Sequence, residues 1–168
     1  MAERDRSTWA ARRDALSLSL VRDGSRAVLD ASAPGVLGTV ASLVHVEAGS
    51  EAALAAALGA VADAVAVATP VDAAAALARL KEQDAGRAGL LVGGAPQDPD
   101  RTWPTLPDGV RWALDLVTAP EALRPALTRA LSQVAVVATL DQACALVTAL
   151  PDVRAVTTEG DLLGADWA

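Results

Sequence analysis

Few side chains in this sequence have the chemistry to catalyse anything. His45 is the only histidine and Cys144 the only cysteine. His45 sits in the strand-like run Leu43-Val44-His45-Val46, where a lone histidine is far more often structural or surface-facing than a general base. Cys144 falls in the apolar helical stretch Ala143–Leu146, which predicts a small buried hydrophobe. No Cys/His cluster has zinc-ligand spacing, and no GxxxxGK[ST] phosphate loop is present. Gly86, Gly89, Gly93 and Gly94 bracket a strand, but their spacing is not GxGxxG, and close backbone approach at a sheet edge accounts for them better. Asp98 and Asp100 read as solvated turn residues. Glu159 and Asp161 flank Gly160 and are of the residue types that pair as acid and base, but turn chemistry explains them more simply. The inventory points away from an enzyme, and no nucleotide, metal or organic cofactor is expected to bind.

Composition narrows the class further. The chain has 168 residues, 52% of them hydrophobic, with no Phe or Tyr and four Trp. That suffices for one core or for two small lobes sharing one. Ala, Val and Leu supply most of it, so backbones can approach closely. No apolar run nears the roughly 20 residues that span a bilayer, no secretory segment follows the charged start Glu3-Arg4-Asp5-Arg6, and a single cysteine fits a reducing compartment. A cytoplasmic, membrane-free protein is expected. Net charge is −7, but residues 1–30 carry six Arg against five acids. An anionic partner should therefore be met near that segment, and only weakly.

The elements that must hold these residues fall into a repeating order. In residues 3–20, Trp9, Arg13, Leu16 and Leu20 recur at spacings of four, three and four, which suits a coiled-coil seam or an amphipathic surface helix. Turns follow at Asp23-Gly24 and Ser32–Gly35. From Gly35 the chain matches itself at an offset of about 70–74 residues: Leu43-Val44, Leu54, Leu58, Val67-Ala68-Thr69 and Leu77 answer to Leu116-Val117, Leu127, Leu131, Val137-Ala138-Thr139 and Leu146. Each half predicts a short apolar segment (Val40–Val46; Ala113–Val117), a helix (Ser50–Leu58; Pro120–Ser132) and a strand (Ala64–Ala68; Val134–Ala138). A Thr-started helix (Asp72–Gln83; Asp141–Leu150) and a last strand (Ala88–Val92; Val153–Thr158) complete the unit. Pro125 lies deep enough to shift the start of its helix. Pro96, Pro99, Pro104 and Pro107 mark an extended linker between the halves. Glu159-Gly160 predicts a tight hairpin into Leu162-Leu163. The fold class is α+β, a mixture of helix and strand in two related lobes from an internal duplication. The domains are an entry segment with coiled-coil stub (1–30), lobe I (31–94), linker (95–108) and lobe II (109–168).

The order of these motifs resembles the hinge of bacterial SMC (structural maintenance of chromosomes) proteins. The resemblance rests on Asp14-Ala-Leu-Ser-Leu-Ser-Leu20, Gly35-Val-Leu-Gly38, Leu43-Val-His-Val-Glu47, Glu51-Ala-Ala-Leu54, Ala57-Leu-Gly59, Val65-Ala-Val67 and Val156-Thr-Thr-Glu-Gly-Asp-Leu-Leu163, and it covers essentially the whole chain. It implies a two-lobed hinge between the arms of a long coiled coil, associating with a second hinge through strand edges and Gly-rich contacts. The resulting homodimer would belong to a condensin-type complex that organises and partitions chromosomes at the nucleoid, with its ATPase in a separate head domain. It places the dimer interface at Leu91, Gly93, Gly94, Leu162, Leu163 and Gly164, with Leu90–Gly94 as an exposed strand end. Weak, sequence-independent DNA contact is assigned to Arg12, Arg13, Arg22 and Arg26. The sequence stops at Ala168, before the family's second Gly-rich stretch and returning helix, so weak dimerisation or none is expected of this chain alone. The competing reading is a duplicated α/β regulatory domain binding a small molecule in a polar-lined pocket between its lobes.

Overall fold

The computed structural model describes residues 24–96 and 102–168. The helix expected over 3–20, with Arg12 and Arg13, lies outside these residues, as do Arg22, Asp98, Pro99 and Asp100. Residues 24–30 are helical (α1). The first half then runs β1 (Val36–Thr39), α2 (Val40–Leu43), β2 (His45–Val46), α3 (Glu51–Leu58), β3 (Val65–Val67), α4 (Pro70–Glu82) and β4 (Leu90–Val92). The second runs β5 (Arg111–Trp112), a 3-10 turn (Ala113–Leu116) and β6 (Val117–Thr118). A further 3-10 turn (Glu121–Leu123) leads into α5 (Arg124–Ala130), then β7 (Val134–Val137), α6 (Leu140–Ala149), β8 (Arg154–Thr157) and β9 (Leu162–Leu163).

The two halves share one topology, as a divergent duplication would produce. In each, the first strand lies antiparallel to the third and the third parallel to the fourth: β1-β3-β4 and β5-β7-β8, the latter extended by the hairpin strand β9. The second strands, β2 and β6, pair antiparallel with each other and stitch the halves together. α4 and α6 begin for the same reason. Thr69 and Thr139 are extended at the N-cap, and their hydroxyls accept from the amides of Asp72 and Gln142, satisfying donors that the first turn leaves orphaned.

β1 and β5 were not legible as strands, and the apolar segments expected over Val40–Val46 and Ala113–Val117 each divide into a helical turn and a two-residue strand. The first division is local: the Thr39 hydroxyl accepts from the Ser42 amide at 3.2 Å and the Ser42 hydroxyl donates to the Thr39 carbonyl at 2.8 Å, closing a turn where the apolar pattern alone reads as continuous. Pro125 does delay its helix. The stretch from Glu121 starts as a 3-10 turn, and Pro125 occupies the first turn of α5, where its missing donor costs nothing.

The pleat distributes the apolar strands between layers. In β7, Val134 and Val136 enter the central core while Ala135 and Val137 pack against α6. In β3, Ala66 faces the same central core and Val65 meets α1 and α4 through Val28, Ala76 and Leu80. The central core belongs to both halves. Leu54 and Leu58 of α3 join Leu123, Leu127 and Leu131 there, and α3 packs against β8 and β9 of the opposite half. Cys144 is exposed, contrary to the expectation of burial. α6 turns Ala143, Leu146 and Val147 inward, and residue 144 falls on its outer side.

Candidate functional site

The two larger of the three sheets end in edges on which another chain can build. β4 terminates the first sheet and β9 the second. Along β4, the Val65 amide donates to the Gly89 carbonyl and the Gly93 amide to the Val67 carbonyl. Parallel pairing therefore turns the backbone of residues 89, 91 and 93 toward β3, and leaves the amides and carbonyls of Leu90 and Val92 facing outward. In the β8–β9 hairpin, Thr157 bonds Asp161 and Ala155 lies opposite Leu163, so the backbone of Leu162 faces out. Gly160 takes φ 99° in the connecting turn, as the hairpin expectation requires.

The opposite edges are less suited to pairing. β1 carries a register irregularity between Val36 and Gly38, of the kind that twists an edge away from partners. On β5, the Arg111 guanidinium grips Glu47 with bonds of 2.7 and 3.1 Å. This bidentate pair bridges the halves beside the β2–β6 ribbon, where the Glu47 amide also donates to the Leu116 carbonyl at 2.9 Å. The hydrogen bonds from Arg111 hold the Glu47 carboxyl below its ordinary value, and Glu47 raises Arg111 in return.

The six residues assigned to association divide between surface and interior. Leu91 is buried in the central core, and Gly93 is buried too. A Cβ at Gly93 would stand 2.9 Å from the Ala122 carbonyl oxygen, so the close backbone approach foreseen there is made within the chain. The expectation of Leu90–Gly94 as an exposed strand end is corrected to that extent. Gly94 is exposed, with its amide donating to Ala122 at 3.1 Å. Leu162 and Leu163 are half-buried on β9, and Gly164 is buried, its amide donating to the Trp167 carbonyl at 2.8 Å. Leu90 and Val92, within the strand end expected over Leu90–Gly94 though not among the six residues assigned to association, are the ones that expose edge backbone. Strand alternation about Leu91 is the signal for them.

Arg26 is exposed on α1 and lies 3.6 Å from Asp30. His45 is exposed on β2. Among the described residues no group of three or more His, Cys, Asp or Glu is placed to hold a metal ion, and no helix is long and apolar enough to cross a membrane. Side chains of the shared core fill the space between the halves. A cavity of about 560 Å³ lies beside Pro96 and Trp103 of the linker and the second half, not in the shared core.

Comparison with known proteins converges on one family. The family model for the SMC proteins flexible hinge domain matches residues 33–147. The chromosome partition protein Smc of Mycolicibacterium paratuberculosis is 50% identical over 168 residues, and that of Mycobacterium tuberculosis 47% over 171. In both cases 99% of this chain is covered but only 14% of the relative's length. An asymmetric dimer of the Geobacillus stearothermophilus SMC hinge domain superposes with a TM-score of 0.71 at 26% identity, covering 98% of this chain and 75% of that one. The Pyrococcus furiosus Smc hinge with an extended coiled coil gives 0.71 at 25%, covering 99% and 58%.

Proposed function

The chain belongs to the SMC hinge family, and from that premise we propose that it is the dimerisation hinge of a chromosome-partitioning SMC protein, at work in the cytoplasm on the nucleoid. The hinge is a non-catalytic module. ATP hydrolysis in the parent protein belongs to its head.

The observation that carries the assembly mode is the pair of free edges, one from each sheet. Two copies related by a two-fold axis set β4 of each against β9 of the other, so both contacts are made at once and the assembly closes as a dimer. Gly94, Leu162, Leu163 and Gly164 lie on or beside those edges; Leu91 belongs to β4 and anchors it in the core, and Gly93 follows directly after that strand. DNA contact falls to Arg12, Arg13, Arg22 and Arg26, near the coiled-coil junction. Asp30 offsets the charge of Arg26, so binding is weak, indifferent to sequence and steeply reduced by salt.

Val92→Pro tests the edge directly. It deletes an outward amide while leaving the β3 ladder intact, and an edge strand tolerates proline. Sedimentation equilibrium is expected to show at least a tenfold weaker dimer, with the circular dichroism of the parent retained. A folded variant that dimerises like the parent would exclude β4 from the interface.

A further inference from the structure

The two halves differ at one matched position. α4 and α6 start from equivalent threonine caps, and Leu77 follows Thr69 by eight residues, as Val147 follows Thr139. Both helices bury the same side: Ala73 and Ala76 on α4, Ala143 and Leu146 on α6. Yet Val147 is 7% exposed and Leu77 44%. The cause is one strand. β9 stands beside β8, α6 packs on it, and Leu163 of β9 packs against the cluster that holds Val147. Among the described residues no strand stands beyond β4, and the flank of α4 that carries Leu77 looks out over that free edge. The other flank looks toward β1: Asp72 lies where a Cβ at Gly35 would stand, and Ala75 and Arg79 line a narrow groove with Val36. At 3.6 residues per turn, Leu77 is about 140–160° round the helix from those three. α6 carries a second leucine of this kind. Leu140 is 55% exposed and precedes Val147 by seven residues, two helical turns, hence on the β9 side of α6.

We infer that Leu77 and Leu140 are anchors of the dimer, buried when the β9 edge of a second copy is set against β4. The inference rests on the reading of β4 and β9 as the dimerising edges, and it adds a helix layer to the strand contact. With the helix-covered faces of the joined sheet on one side, the second copy's β9 takes beside β4 the place that β9 takes beside β8. α4 of one copy and α6 of the other then flank the seam, with Leu77 and Leu140 facing it from either side. α4 is seated on β3 and β4, and α6 is centred on β8. Two and a half strand spacings of about 4.8 Å separate those helices by roughly 12 Å. That is a little beyond the roughly 8–10 Å of direct helix packing, and leucine side chains fill the difference. An exposed leucine is ordinary in isolation; here both overlook a strand edge with unpaired backbone. A two-fold axis makes the contact twice.

Sedimentation equilibrium over a concentration series is the test, with Val71→Ser as control. Val71 is more exposed, at 77%, but sits about 120° round α4 from Leu77 and off the seam. Leu77→Ser and Leu140→Ser are each expected to weaken the dimer about tenfold, the scale of a truncated interface anchor, with the circular dichroism of the parent retained. Val71→Ser should leave the dimer unchanged. Thiol labelling reads burial directly, in a Cys144→Ser background because Cys144 is itself exposed. The Leu77→Cys thiol should react more slowly as concentration drives dimerisation, and the Val71→Cys thiol at one rate throughout. A folded Leu77→Ser or Leu140→Ser that dimerises like the parent would overturn the inference, as would a Leu77→Cys thiol whose reactivity ignores concentration. If Val92→Pro weakens the dimer in the same series, the β4 edge survives that failure. A parent chain that stays monomeric at the highest attainable concentration overturns both.

Discussion

Glu47 and Arg111 are 64 positions apart in sequence, and each reads there as an ordinary solvated charge. Their meeting depends on β2 and β5 being brought together by pairings that no local pattern announces. The pair is exposed on both sides, 53% and 51%, so its contribution is small and screened by salt. The pH dependence has a definite sign. The folded carboxyl of Glu47 lies below the ordinary glutamate value, so the pair stabilises fully above that ordinary value, and the contribution is lost as pH falls through the lowered folded value. Arg111 keeps its charge throughout this range. Melting temperatures of the parent and Glu47→Gln should differ slightly near neutrality at low salt. They should converge at acid pH, and also at neutral pH in molar salt; a gap that survived both conditions would assign the effect to packing. Gly93 teaches the complementary lesson. Its presence signalled a close backbone approach, correctly, but a glycine does not name its partner, and the partner is the Ala122 carbonyl of the same chain.

At the scale of elements, what was legible is what local chemistry dictates. Thr69 and Thr139 announce α4 and α6, Val65–Val67 and Val134–Val137 are continuous β-branched or small apolar runs buried throughout, and Gly160 marks the hairpin. β1 and β5 were missed because Val36-Leu-Gly-Thr39 and Arg111-Trp112 are too short to show a period of two, and become strands only by pairing with β3 and β7. If the halves descend from one unit, the matching caps should be energetically matched. Thr69→Ala and Thr139→Ala are each expected to cost about 1 kcal/mol, the usual loss for a hydroxyl N-cap, and the costs should add in the double variant because the sites share no contacts. Urea denaturation of the three variants measures this. Thr69 has one extra tie, a hydroxyl bond to the Asp72 carboxylate at 2.6 Å, so any inequality should make Thr69→Ala the costlier. The reverse order would mean that the caps are not equivalent.

At the scale of the whole molecule, the internal repeat divides the sequence in two, but the core does not follow that division. β2 pairs with β6 rather than within its own half. α3 lies on β8 and β9, and the turn before α5 sits against the end of β4 through Ala122. Each half has thus given its middle segment to the other. The consequence for stability is large. Leu54 of the first half and Leu123, Leu127 and Leu131 of the second are almost wholly buried in one cluster. Burying a leucine is worth about 1.5–3 kcal/mol, so exposing these four would remove on the order of 6–12 kcal/mol, comparable with the 5–15 kcal/mol that typically holds a domain folded. Residues 31–94 and 109–168, produced as separate polypeptides, are therefore expected to lack cooperative thermal transitions. Mixing them in equal amounts should restore a transition whose midpoint rises with concentration, as it must when folding and association are one event. A cooperative melt from residues 31–94 alone would make that half an independent lobe. In an interlocked hinge, the β2–β6 ribbon and the exchanged segments would have to break before the halves could swing apart.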